Sequence, residues 1–151
     1  MNKQISDFLS QEPAITIHSD ATVSEAVSVM TSEKHNYVLV EDNGEIVGIF
    51  TDRDLLNRVL SEQLLPDEIK IRDVMTPDPE LLEPNDYIAY AMERMARYGY
   101  RNVPIKLDDG GTSVLTVWNI MSHISEILMH VEEKESDLDM LNEITDIGGG
   151  G

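Results

Sequence analysis

The chain has 151 residues, 41% of them hydrophobic, with 29 acidic against 11 basic side chains and a net charge of −18. That length suits one compact domain or two small ones; no run approaches the ~20 apolar residues that span a bilayer, and the first residues lack the apolar core of a secretory signal. Zero cysteines exclude a disulfide framework, thiolate metal binding and thiol catalysis, and the acidic field argues against nucleic-acid binding, so a soluble cytoplasmic protein is expected.

Ile15-Thr16-Ile17, β-branched and just after Pro13, predicts a short strand. Thr22-Val23-Ser24-Glu25 is a capping box, and Val23, Ala26, Val27 and Met30 recur at helical spacing, so an amphipathic helix follows. Tyr37-Val38-Leu39-Val40 and Ile46-Val47-Gly48-Ile49-Phe50 read as strands joined by a tight turn at Asn43-Gly44. A second helix is expected after Thr51, with Leu55, Leu56, Val59 and Leu60 as its apolar stripe.

The order then repeats. Ile5-Ser6-Asp7-Phe8-Leu9-Ser10 before Pro13 returns as Ile71-Arg72-Asp73-Val74-Met75-Thr76 before Pro79, 66 residues on. Ala26, Met30, Val38 and Thr51 return as Ala91, Met95, Val103 and Thr116, 65 residues on. In this second copy Leu81-Leu82 stands for the first strand, and Pro84-Asn85-Asp86 starts a helix carrying Ile88, Ala91, Met92, Met95 and Ala96. Val103-Pro104-Ile105 is the next strand, with Pro104 suggesting an edge or a bulge. Asp108-Asp109-Gly110-Gly111 is a turn and Ser113-Val114-Leu115 the third strand; a last helix begins after Thr116 and runs through Ile120, Met121, Ile124, Ile127, Leu128 and Val131.

Each copy therefore reads β-α-β-β-α, too thin to close its own core. The expected fold is α/β, two repeats packed about a pseudo-twofold axis. Repeat 1 covers residues 1–66 and repeat 2 residues 67–131, with an acidic extension and glycine tail over 132–151. In the extension Ile124, Val131 and Leu138 recur every seven residues and Lys134 interrupts the stripe, so this segment packs on the module, pairs with a partner helix or frays. Gly148 to Gly151 reads as a flexible linker or a cloning remnant.

The chemistry concentrates where the third strand of each copy becomes helix. Copy one has Gly48-Ile49-Phe50-Thr51-Asp52-Arg53-Asp54, and copy two has Ser113-Val114-Leu115-Thr116-Val117-Trp118-Asn119. Add the Asp-Val-Met-Thr-Pro stretch from Asp73 to Pro77, the Thr-Val-Ser-Glu-Ala helix start at Thr22, and the Tyr37 to Val40 strand before its Asn-Gly turn. With these ordered motifs, several of them present twice, the chain resembles a tandem pair of CBS domains, the nucleotide-sensing Bateman module, over roughly residues 5 to 126.

A carboxylate in the first turn of a helix can accept from both hydroxyls of a cis-diol, each charge-assisted bond contributing about 1.5–3 kcal/mol. Thr51 donates and accepts beside it, Gly48 lacks the Cβ that would obstruct approach, and the N–H groups of the helix start favour a phosphate. Ile17, Tyr37 and Val38 are placed to sandwich a flat base. The resemblance implies that Thr51 and Asp54 hold the ribose of an adenosine compound and that the first two strands hold its adenine. Taken singly, Thr51-x-x-Asp54 reads first as a helix cap; the repeated setting is what turns the reading to a ligand. In copy two Asn119 replaces the acid and Ser113 the glycine, so the Thr116–Asn119 site is expected to be weak or empty.

Arg53, Arg58 and Arg101 are the candidate phosphate contacts, and Asn102 and Val103 complete the candidate lining. Met75 and Thr76, in the linker between the copies, either touch ligand or form a buried, capped crossing. His18, His35, His123 and His130 are too scattered for a metal site, no tightly bound cofactor is expected, and any Mg²⁺ would arrive with the nucleotide. The expected protein is a regulatory module rather than an enzyme. It senses ATP, ADP, AMP or S-adenosylmethionine, forms a homodimer as the resemblance implies, and signals to a separate effector protein. The rival expectation is an interaction scaffold whose clefts are empty, with Thr51 and Thr116 acting as caps.

Overall fold

Turn chemistry and apolar alternation produce the first repeat in the order expected. The structure is a computed structural model describing residues 3–148; the side chains of 146–148 and the Gly149–Gly151 end of the glycine tail lie outside the described residues. Strand β1 (Thr16–His18) pairs in parallel with β2 (Tyr37–Asp42), and the crossover between them is helix α1 (Val23–Glu33). The Thr22 hydroxyl accepts from Glu25 N and Glu25 Oε2 accepts from Thr22 N, both at 3.2 Å, which closes the capping box. Strand β3 (Glu45–Thr51) returns antiparallel to β2 through Asn43 and Gly44 at φ 51° and 78°. Two successive left-handed residues match the twist of a two-residue hairpin, which is why Asn-Gly stands there.

The helix after Thr51 departs from expectation. It is α-helical over Asp52–Asp54 and continues as a π-helix over Leu55–Leu60; together they form α2. Ser61 N donates to Leu56 O at 2.9 Å and Leu64 N to Val59 O at 3.0 Å, five residues back in each case. This wider winding breaks the shared stripe: Val59 is buried, whereas Leu56 and Leu60 face solvent at 60% and 51% exposure.

In the second copy the helices and hairpin recur as α3 (Ile88–Tyr98), β5 (Asn102–Lys106), β6 (Thr112–Thr116) and α4 (Val117–Gly148). The Leu81-Leu82 strand shrinks to one parallel bridge between Leu82 and Ile105, because Pro79 and Pro84 on either side have no N–H to extend a ladder. Helix α3 starts at Ile88, with Tyr87 as an N-cap that makes no side-chain bond, rather than at Pro84. The carbonyls of Pro84 and Asp86 are committed to Ser6 N and Ile5 N, each at 2.9 Å, which keeps this stretch extended. Of the stripe expected on α3, Ile88, Ala91 and Met95 are buried, whereas Met92 and Ala96 are exposed.

Those two bonds show how the repeats are joined. The lead-in to repeat one bridges to repeat two at Gln4 and Tyr87, and the lead-in to repeat two bridges to repeat one at Lys70 and Thr22. Ile5 accordingly sits in the core of the second repeat with Leu82, Ala91, Val103 and Leu115, and Ile71 in the core of the first with Val23, Val38, Phe50 and Val59. The exchange is reciprocal, as a pseudo-twofold axis requires. A third cluster of Tyr37, Leu39 and Val114 binds the two sheets together. The linker adds β4 (Thr76–Pro77) to the edge of β3, giving the first sheet the order β1-β2-β3-β4.

Candidate functional site

Because each lead-in crosses to the other repeat, the helix start of one repeat faces the strand start of the other. The cleft formed between them has a volume of about 680 Å³. Thr51, Asp54 and Arg58 supply one wall, the linker from Thr76 to Glu80 the floor, and Leu82, Arg94 and the run from Tyr98 to Pro104 the opposite wall.

Asp54 is the hub of the first wall. Its Oδ2 accepts from Thr51 N at 3.0 Å and Thr51 Oγ1 at 3.4 Å, so it caps its own helix. Its Oδ1 accepts from Thr76 Oγ1 at 3.4 Å and lies 3.5 Å from Arg58 Nε. Arg58 in turn donates to the Met75 carbonyl at 2.8 Å. With its side chain 13% exposed, Asp54 is a carboxylate recessed in the wall.

The mouth is bridged from both sides. Arg53 of repeat one donates to the Gly99 carbonyl of repeat two at 3.0 Å, and Arg101 of repeat two pairs with Asp52 of repeat one. The Arg101 guanidinium holds the Asp52 carboxyl below its ordinary value, chiefly by hydrogen bonding. Gly99 closes α3 at φ 71°, and Lys34, 65 residues earlier, closes α1 at φ 59°. In the opposite wall Asn102, 7% exposed, donates to Asn36 Oδ1 at 3.0 Å, and its own Oδ1 has no partner among the described residues. Arg94 lies over the rings of Tyr90 and Tyr98, 4.9 and 5.7 Å from their centroids, and reaches Glu80 at 3.4 Å.

Four of the 11 basic residues, Arg53, Arg58, Arg94 and Arg101, thus line one cleft against Asp54, Asp78 and Glu80. With Asp52 at the mouth, four carboxylates meet these four guanidiniums, so the cleft is near neutral in a chain whose net charge is −18.

Of the residues singled out in the sequence, Thr51, Arg53, Asp54, Thr76, Arg101, Asn102 and Val103 come together here. Ile17, Tyr37 and Val38 do not: Tyr37 and Val38 are core residues at 3% and 0% exposure, and Ile17 packs beneath α1. Burial raises the Tyr37 phenol above its usual pKa. The places assigned to them are taken by Leu82, Asn102 and Val103, their counterparts 65 residues on. This wall of the cleft comes from the sister repeat. Gly48 and Met75 stand behind the cleft and face each other; a Cβ on Gly48 would fall 2.8 Å from Met75 Cγ and closer still to its sulfur. That glycine makes room for Met75.

Thr116 and Asn119 lie at the other junction, away from this cleft. Asn119 Oδ1 accepts from Thr116 N at 2.8 Å and Thr116 Oγ1 accepts from Asn119 N at 3.1 Å, a closed cap. Residues not singled out in advance include Leu82, Glu80, Asn57 and Arg94. Arg94 and Tyr98, four apart on one helix face, carried a signal of sorts; Leu82 did not. Among the described residues no group of three or more His, Asp or Glu side chains is arranged to hold a metal, and no helix is long and apolar enough to cross a membrane.

Comparison with known proteins follows this geometry. The CBS-domain family pattern matches residues 5–61 and 71–126. A curated relative, the meiotically up-regulated gene 70 protein of Schizosaccharomyces pombe, is 31% identical over 129 residues, 85% of this chain and 17% of the relative. The chain thus spans about a sixth (17%) of the length of the curated relatives it matches first. Among solved structures, the CBS-domain protein ATU1752 of Agrobacterium tumefaciens superposes with a TM-score of 0.72 at 22% identity, covering 80% of this chain and 98% of that one. The CBS domain pair of protein MJ0100, solved in complex with 5′-methylthioadenosine and S-adenosyl-L-methionine, gives a TM-score of 0.72 at 23% identity, covering 83% of this chain and 98% of that one.

Proposed function

The chain belongs to the CBS-domain family, and from that premise we propose that it is a regulatory module that binds a phosphorylated adenosine in the cleft between its repeats. The observation that carries this reading is the Asp54 carboxylate, recessed at a helix start with Arg58 beside it and three further arginines lining the same cleft of an otherwise acidic chain. Ribose hydroxyls donate to Asp54, with Thr51 and Thr76 on either side. The base lies against Leu82, Val103 and Pro104, where the unpaired Asn102 Oδ1 favours a ligand donor. Phosphates meet Arg58, Arg53 and Arg101, each of which spends only part of its five-donor fork on the protein.

The charge distribution also chooses among adenosine compounds. S-adenosylmethionine, a ligand of the MJ0100 domain pair, carries a positive sulfonium that the arginines disfavour; AMP, ADP and ATP carry the charge they attract. Any Mg²⁺ arrives on the phosphates. Ligand contacts both repeats, so it biases their relative orientation, by no more than its difference in affinity for the two arrangements. The signal passes to an effector protein from a homodimer in which the exposed Leu56 and Leu60 of α2 meet a second copy. The Thr116 junction, closed on itself, is the place where the scaffold reading has support: there threonine and asparagine serve as a cap.

The test is a thermal-shift panel of ATP, ADP, AMP, adenosine and S-adenosylmethionine. Stabilisation by the phosphorylated compounds above adenosine is expected. No shift with any of them would leave the scaffold as the function, and a shift with S-adenosylmethionine alone would overturn the charge argument.

A further inference from the structure

From Ile124 to Thr145 every side chain of α4 is exposed, so this half of the helix has no partner within the described chain. Helices in water owe most of their stability to packing of an apolar face. Here such a face exists and is bare. Ile124, Ile127, Val131, Leu138 and Leu141 occupy the first and fourth positions of successive heptads, with Leu138 and Leu141 at 58% and 59% exposure. Glu135 and Asp137 border this seam on opposite sides, and between residues 126 and 143 there are seven carboxylates and one lysine.

We infer that this stripe docks a cationic amphipathic helix of a partner protein. The partner's aliphatic residues cover the seam, and its lysines and arginines lie against Glu135 and Asp137. The charge selects this occupant over the alternatives. A second copy laid along the seam would bring Glu135 and Asp137 up to the same acids of its neighbour, within the Debye length of about 8 Å at physiological salt, and would bring two Lys134 side chains to the same seam. Anionic lipid would be repelled by the same acids. A basic helix turns both repulsions into attraction. The docking surface is also tied to the cleft: the first N–H of α4, from Val117, donates to the carbonyl of Arg101 at 2.9 Å, and Arg101 lines the cleft. The inference stands whether or not the cleft binds nucleotide.

Three synthetic peptides test it against the full chain by fluorescence anisotropy: a leucine-seamed helix with Lys and Arg flanks, the same helix with Glu flanks, and a scramble of the basic one. The basic helix is expected to bind, to weaken with added salt, and to exceed both controls at least tenfold. Val131→Asp and Leu138→Asp should each weaken it tenfold or more with an unchanged melting temperature. Leu138→Gln, which keeps helix propensity, should do likewise, separating lost docking from an unwound helix. Equal binding of the scramble, or no binding, overturns the inference. So does sedimentation equilibrium showing self-association that Val131→Asp abolishes, or recruitment to phosphatidylcholine vesicles that the same substitution abolishes.

Discussion

Replacing Asp54 by asparagine separates the two tasks assigned to that carboxylate. As a cap it accepts from Thr51 N at 3.0 Å, and the second repeat demonstrates that an asparagine amide does this equally well, since Asn119 accepts from Thr116 N at 2.8 Å. Unliganded Asp54→Asn should therefore melt within about 2 °C of the parent, or about 0.5–1 kcal/mol at this size. As a ribose acceptor it loses its charge. Two hydroxyl bonds fall from about 1.5–3 to about 0.5–1.5 kcal/mol each, a combined loss near 2 kcal/mol, or roughly thirtyfold in Kd. With ATP at about a hundred times the parent Kd, binding stabilises the parent by about 2.7 kcal/mol, a rise of about 5–11 °C. At the same concentration the variant gains about 0.9 kcal/mol, or about 2–3 °C. Calorimetric melting with and without ATP reads both numbers. A variant that keeps the full ligand shift would refute the ribose assignment, and one whose unliganded form collapses would show that the Asp54–Arg58 pair, not the cap, is what the fold requires.

Three further outcomes are expected. Arg58→Ala should weaken ATP and ADP about tenfold by titration calorimetry and adenosine much less, because the donors Arg58 leaves free are assigned to the phosphates while Asp54 beside it keeps the ribose; an equal loss for adenosine would place Arg58 at the sugar. Gly48→Ala should lower stability in urea unfolding by about 1–3 kcal/mol through collision with Met75, and the loss should shrink in a Met75→Ala background; additive losses would refute that contact. Arg101→Ala should destabilise the unliganded protein by less than about 1 kcal/mol, since the pair is half exposed. The folded Asp52 carboxyl titrates below its ordinary 3.8, so that contribution is complete above pH 3.8 and disappears as pH falls through the folded value. Urea unfolding on either side of that range tests it, and a pH-independent loss would contradict the pairing.

The repeat, its β-α-β-β-α order and the junction chemistry are local properties, and local chemistry is what a sequence carries. Thr22 with Glu25, Asn43 with Gly44, and Thr51 with Asp54 each act within a few residues, and each takes the geometry that its spacing implies. The departures come where distant chain intrudes. Pro84 to Asp86 is kept out of α3 by hydrogen bonds to Ile5 and Ser6, and the Leu81-Leu82 strand has one bridge because prolines flank it. Leu55 to Leu60 carries a helical pattern, but a π-helix sends two of its leucines to solvent.

Which wall faces Asp54 was the question that periodicity had no means to answer. Ile17, Tyr37 and Val38 and their counterparts Leu82, Asn102 and Val103 are interchangeable as patterns, both being apolar-rich starts of equivalent strands. Only the crossing of Gln4 over to Tyr87, and of Lys70 over to Thr22, brings the second set to this cleft and leaves the first away from it. Helix caps and turns follow from neighbours along the chain, whereas a cleft between repeats exists only once contacts dozens of residues apart have formed.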